Sequence, residues 1–167
     1  GGGLVRGFSG FVFAMSAVPI MSMGISPAIV VPSVLIHELA IGMFSLKSEK
    51  GSADPSLLIW LCLGSLIGTP LGLLALSHVS DDSMRLAIAL VLLLSVIALW
   101  TSRRNFITLQ ASVLSAAGFV SGILNGASAM SGPPVIITLL GSNLSASKMR
   151  GILIYFIAFS AAIGVGL

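Results

Sequence analysis

The stretch Asn125-Gly-Ala-Ser-Ala-Met-Ser-Gly-Pro-Pro134 interrupts an otherwise apolar run over 106–144. As one helix that run would extend roughly 60 Å, about twice the apolar thickness of a bilayer. Two full crossings plus a turn would be a tight fit. A helix that enters, unwinds near Asn125–Pro134 and turns back as a shorter half-helix accommodates the length better. Pro133 and Pro134 suit the first turn of the returning piece, and Ser131 is placed to cap it. Gly126 and Gly132 supply flexibility, while Asn125, Ser128 and Ser131 supply hydrogen bonds for backbone unwound at membrane depth. The free N–H groups of such a half-helix carry about half a positive charge and attract anions.

The rest of the chain supports a membrane setting. Of 167 residues, 56% are hydrophobic and 8% are charged, and the mean hydropathy is +1.13. An ordinary soluble domain carries about 25% charged residues, so most of this surface faces lipid. A soluble enzyme, a disordered chain and a nucleic-acid binder are excluded. Four further runs, 28–46, 56–77, 84–101 and 149–167, are long and apolar enough to cross. Lys47, Lys50, Arg103 and Arg104 place 46–55 and 102–106 in the cytoplasm and 77–83 outside. Trp60 and Trp100 fall near the cytoplasmic ends, where indoles prefer to sit. Lys148 and Arg150 return to the cytoplasmic side only if 106–144 is re-entrant. Gly64, Gly68 and Gly72 form a stripe that lets another backbone approach, either in a homodimer or within one chain, and Pro70 is expected to kink that helix. The lone Cys62 can form no intrachain disulfide.

An internal repeat adds detail. Shifted by 115 positions, residues 3–19 overlay 118–134 with seven identities in 17 pairs, the shared skeleton being G-x-V-x-G followed by A-M-S-x-x-P. Such a match indicates duplication. One hairpin and three spans per half turn the second copy upside-down. The fold class expected is therefore all-α integral membrane, a polytopic helical transporter with inverted repeats and broken or re-entrant helices. Its first repeat covers 1–105 and its second, truncated repeat 106–167. The residues read as a piece of a longer membrane protein.

Binding sites in transporters of this kind lie at the repeat interface, where helices are broken. Ser9, Gly10, Ser16 and Pro19 occupy the first break as Asn125, Ser131 and Pro134 occupy the second. Two facing half-helix N-termini would make a pocket for a small oxyanion; the bland alternative is two merely kinked helices. Arg6 is either an intramembrane site residue or a snorkelling one. Arg150, with its planar fork of donors, is either an anion ligand or a topogenic charge. Glu38 and His37 lie halfway along the second element, about 100° apart around a helix. Glu38 shares a face with Val34, Leu35, Ile41 and Gly42, and a carboxyl group there can carry a proton together with substrate. His37 is the weaker candidate. No cofactor or metal is expected: H-E-x-x-H, the phosphate-binding loop and the nucleophile elbow are all missing from the sequence. An intramembrane enzyme pairing Ser131 with His37, and a non-transporting scaffold or assembly subunit, are the rival readings.

The segment from Gly3 to Pro19 resembles the opening repeat of the sulfite exporter TauE/SafE family of anion permeases. Ser131 to Leu140, followed by Ser147 to Gly151, is similar to that family's second repeat, and Gly64 to Gly72 resembles the stretch between the two repeats. The resemblance implies a bacterial inner-membrane permease for sulfite or organosulfonate anions, usually exporting them. It places Arg6, Ser16, Pro19, Ser131, Pro134 and Arg150 near the substrate path. Val12 departs from the pattern, standing where relatives often have glycine, and the family's further helices lie beyond this sequence.

Overall fold

The computed structural model describes residues 16–48, 53–101 and 108–166. Within them lie helix α1 over 16–22, α2 Pro27–Ser48, α3 Pro55–His78, α4 Asp81–Thr101, α5 Ala111–Ser128, α6 Gly132–Leu140 and α7 Ala146–Gly166. Proline opens α2 and α3, where a missing amide hydrogen is no loss, and the Asp54 carboxylate accepts from the Ser56 amide at 3.1 Å to cap α3. Asp81 and Asp82 sit in the first turn of α4, on the favourable side of its dipole. By length and hydropathy α2, α3, α5 and α7 can each cross a membrane.

The strongest seam joins α3 to α5. Gly64, Gly68 and Gly72 of α3 face Gly118, Gly122 and Gly126 of α5, and a methyl group on any of the six would run into backbone of the facing helix. The small-residue stripe is thus consumed within the chain. Gly64 meets Ser115 and Gly118, whereas Gly72 meets Ile123 and Gly126. The two helices therefore run parallel and enter from the same face. On the opposite flank α2 and α7 are antiparallel: Gly42 packs on Ala158, and Leu35 packs on Gly164.

Two apolar clusters stack along these helices. One joins Leu61, Leu114, Leu139, Ile152 and Phe156, near the starts of α3, α5 and α7 and the end of α6. The other joins Val18, Val30, Leu35, Leu76, Met84 and Met130, near the opposite ends. Since the end of α6 shares a cluster with the start of α5, the α5–α6 pair is re-entrant, as the length of 106–144 requires. α1 runs the other way. Its final turn carries Ser22, whose carbonyl accepts from Arg85 Nε, and the following Ser26 donates to Asp81. The C-terminal ends of α1 and α6 thus lie on opposite faces.

Candidate functional site

Between the apolar clusters lies a layer of buried polar side chains: Glu38, Ser65, Thr69, Ser121, Asn125, Ser131 and Ser160. Its centre is the break between α5 and α6. α5 ends on Ala129, which adopts the left-handed conformation at φ 54° and ψ 30° and donates its amide to the Asn125 carbonyl at 2.8 Å. Two residues on, the Ser131 carbonyl accepts from Ser121 Oγ, about two turns back on α5. Gly122, beside Ser121, packs on Ser65 and Thr69, at the middle of α3. The N-terminus of α6 therefore lies halfway along the spanning helix α3. With nine residues, α6 is about 14 Å long, half a bilayer core.

Hydrogen bonds tie this layer to α7. Asn125 Nδ2 donates to the Ser160 carbonyl at 2.8 Å, and the Ser65 and Ser160 hydroxyls meet at 3.2 Å. Thr69 Oγ1 donates to the Ser65 carbonyl at 2.9 Å. Yet three buried atoms here have no hydrogen-bond partner among the described residues: Glu38 Oε2, Asn125 Oδ1 and Ser131 Oγ. An unsatisfied buried polar group costs about 1–3 kcal/mol, and a folded protein retains one where a ligand, a proton or water completes it. Glu38 reaches this layer from α2. It lies one turn from Leu35, and Leu35 and the Asn125 amide both border Gly164.

Several expected placements are corrected. Ser131 does not cap α6: its backbone is helical, at φ −78° and ψ −16°, and its side chain makes no cap hydrogen bond. Gly126 is not a hinge; it lies inside α5 in the seam with α3. The turn is taken by Ala129, buried together with Met130 and Ser131, and the Met130 amide donates to the Leu124 carbonyl at 3.4 Å. The first turn of α6 also offers fewer donors than an ordinary helix start. Pro133 and Pro134 have no amide hydrogen, and that of Val135 closes the first turn on the Ser131 carbonyl, which leaves the Gly132 amide.

Asn125, Ser131 and Glu38 are brought to one layer. Pro134 lies in the first turn of α6, where its carbonyl accepts from Thr138. His37 is exposed, with Nδ1 2.8 Å from the Ser33 carbonyl of its own helix, so it does not meet the buried Ser131. Arg150 is half-buried ten residues before Ser160 on α7, about 15 Å along the axis. Ser16 is exposed, and Pro19 is half-buried in a groove against α4. Arg6, Ser9 and Gly10 lie outside the described residues. Ser65, Thr69, Ser121 and Ser160 were not anticipated. Three of them flank the stripe glycines (Gly64-Ser65, Gly68-Thr69 and Ser121-Gly122), a pairing visible in the sequence.

A family model described as sulfite exporter TauE/SafE matches residues 1–167. No curated protein and no solved structure matches the chain.

Proposed function

The chain belongs to the sulfite exporter TauE/SafE family, whose model it matches over 1–167, and on that premise we propose that its buried polar layer is the anion site of a secondary transporter. The family's members are membrane transporters, and the apolar helices make this an integral membrane protein. The substrate is sulfite or an organosulfonate, exported across a bacterial inner membrane by alternating exposure of that one site. The observation that carries this reading is a half-helix starting at mid-depth among buried, unpartnered polar atoms. The Ser131 hydroxyl and the amide hydrogen of Gly132 are the donors for the anion's oxygens. The two apolar clusters act as the gates, one on each side of the polar layer. Arg150, on the side bearing Lys148, collects anions from the cytoplasm. Glu38 takes up and releases a proton as substrate loads and leaves.

Counterflow of sulfite or an organosulfonate in proteoliposomes tests the reading, and failure of both anions to exchange removes it. Ser131→Ala is expected to weaken anion affinity about tenfold, the loss of one hydrogen bond to a charged group. Arg150→Gln should slow uptake from the cytoplasmic side more than Lys148→Gln; equal effects mean that both charges are topogenic. Under an imposed pH gradient, Glu38→Gln should exchange anion but lose accumulation, and unchanged accumulation rules out coupling through Glu38.

A further inference from the structure

At the end of the bundle opposite Lys47 and Lys148, Arg85 stands one turn inside α4. Its Nε donates to the Ser22 carbonyl at 2.6 Å, and its Nη1 donates to Asp82 Oδ1 at 3.1 Å. Nη2 has no protein partner among the described residues. The adjacent Ser22 is 2% exposed, and its hydroxyl also lacks a hydrogen-bond partner among the described residues. Both residues line a groove of about 260 Å³ between α1 and α4, walled by Pro19, Met23, Ile88, Ala89 and Leu92. From Arg85 the groove follows α4 for seven residues toward the middle of the bundle, about 10 Å. It continues onto a face of α4 where Leu86, Leu90 and Leu93 are exposed.

Charge is ordered along the same line. The guanidinium of Arg85 lies deepest, and Asp82 and Asp81 lie one turn further out, the Asp82 side chain being 94% exposed. A phospholipid has a matching order: ammonium outermost, phosphate beneath it, and acyl chains running inward. A bare inorganic oxyanion would leave the apolar length of the groove unfilled. An acidic lipid with no amine would bring its headgroup against two carboxylates. We propose that the groove binds a lipid with a phosphoethanolamine headgroup. Its phosphate sits on Arg85 Nη2 and the Ser22 hydroxyl, its primary ammonium on Asp82 and Asp81, and one acyl chain along Ile88, Ala89 and Leu92. This site is separate from the transport site and stands whether or not anions are carried.

Native mass spectrometry of the protein released from micelles holding equal amounts of phosphatidylethanolamine, phosphatidylcholine and phosphatidylglycerol tests this directly. Phosphatidylethanolamine should be retained about tenfold over either competitor, since each lacks one of the charge-assisted contacts. Arg85→Gln should abolish retention. Asp82→Asn should keep it but shift the preference toward phosphatidylglycerol. Ala89→Phe, at an exposed position that leaves every charge in place, should block the groove if Arg85→Gln folds poorly. Equal retention of the three lipids, a preference for phosphatidylglycerol in the unaltered protein, or lipid binding untouched by both Arg85→Gln and Ala89→Phe would overturn the assignment. So would displacement of the lipid by inorganic phosphate alone, which would mark an anion site with no use for a tail.

Discussion

Replacing Gly122 with alanine strikes the α3–α5 seam at the level of the polar layer. A Cβ there would fall 2.7 Å from the Ser65 carbonyl oxygen, 2.8 Å from Ser65 Cα and 2.9 Å from the Thr69 nitrogen. All three are backbone atoms of a helix and cannot swing aside. Ordinary contact begins near 3.4 Å, so the helices must part by about 0.7 Å. Overpacking of this kind costs about 1–3 kcal/mol. Ser65 moves with α3, stretching its 3.2 Å contact with Ser160 and forfeiting about 1 kcal/mol more. Against this, alanine within a helix recovers about 0.5–1 kcal/mol of backbone entropy. The net loss is about 2 kcal/mol, which for a chain of this size lowers the melting midpoint by roughly 4–8 °C. The assay is thermal unfolding in nanodiscs, followed by circular dichroism. Gly24→Ala serves as the control, since a Cβ there meets nothing within 4 Å. A Gly122→Ala protein that melts within a degree of the Gly24→Ala protein would refute the close-packed seam.

Two other perturbations probe the break. Ala129 holds a left-handed conformation that disfavours side chains, so Ala129→Gly should raise stability by about 1 kcal/mol. Ala129→Val, which adds a β-branch at a site with no free surface, should lower it by about 2 kcal/mol; both are read as shifts in the same melting curve, and identical midpoints would contradict the turn. Asn125→Leu removes the donor to the Ser160 carbonyl, a buried hydrogen bond whose loss costs about 1 kcal/mol. It should also weaken sulfite binding measured by calorimetry, whereas a purely structural role would leave binding intact.

The re-entrant hairpin was legible because two adjacent prolines cannot continue a helix and the run around them is too long for one crossing. The burial of Glu38 was legible as well: Gly42 lies one turn on, and that small residue marks the face of α2 that packs closely on α7. His37, 100° away, was bound to point elsewhere. The exact turn was not legible. Glycine is the usual left-handed residue, so Gly126 and Gly132 drew attention, while the neighbouring Ala129 took the strained position. Gly126 was needed in the seam instead. Gly118, Gly122 and Gly126 form a stripe as regular as Gly64, Gly68 and Gly72, but overlap with the repeat and with the break hid it. That one stripe packs on the other is a fact of three dimensions, since parallel helices 54 residues apart leave no local mark of their pairing.

The orientation of Asn125 bears on what moves through the site. A backbone carbonyl only accepts, so the atom facing the Ser160 oxygen must be the amide nitrogen. Its oxygen is thereby turned the other way, into the polar layer, and finds no partner there. A bare anion cannot satisfy an acceptor. Nor can it satisfy the unpartnered Glu38 Oε2 on the facing helix unless a proton lies between them. The Ser131 hydroxyl and the Gly132 amide suit a sulfur oxyanion, but the neighbouring acceptors suit a hydrogen. In the transport site proposed above, the two halves together favour an anion that arrives with a proton, carried on Glu38 or on the substrate itself. The alternative is an anion alone, with two unpaired acceptors at a cost of about 1–3 kcal/mol each. For that reason loss of accumulation without loss of exchange is the informative signature of Glu38→Gln: the glutamine keeps the size and polarity of the side chain and removes only the titrating proton.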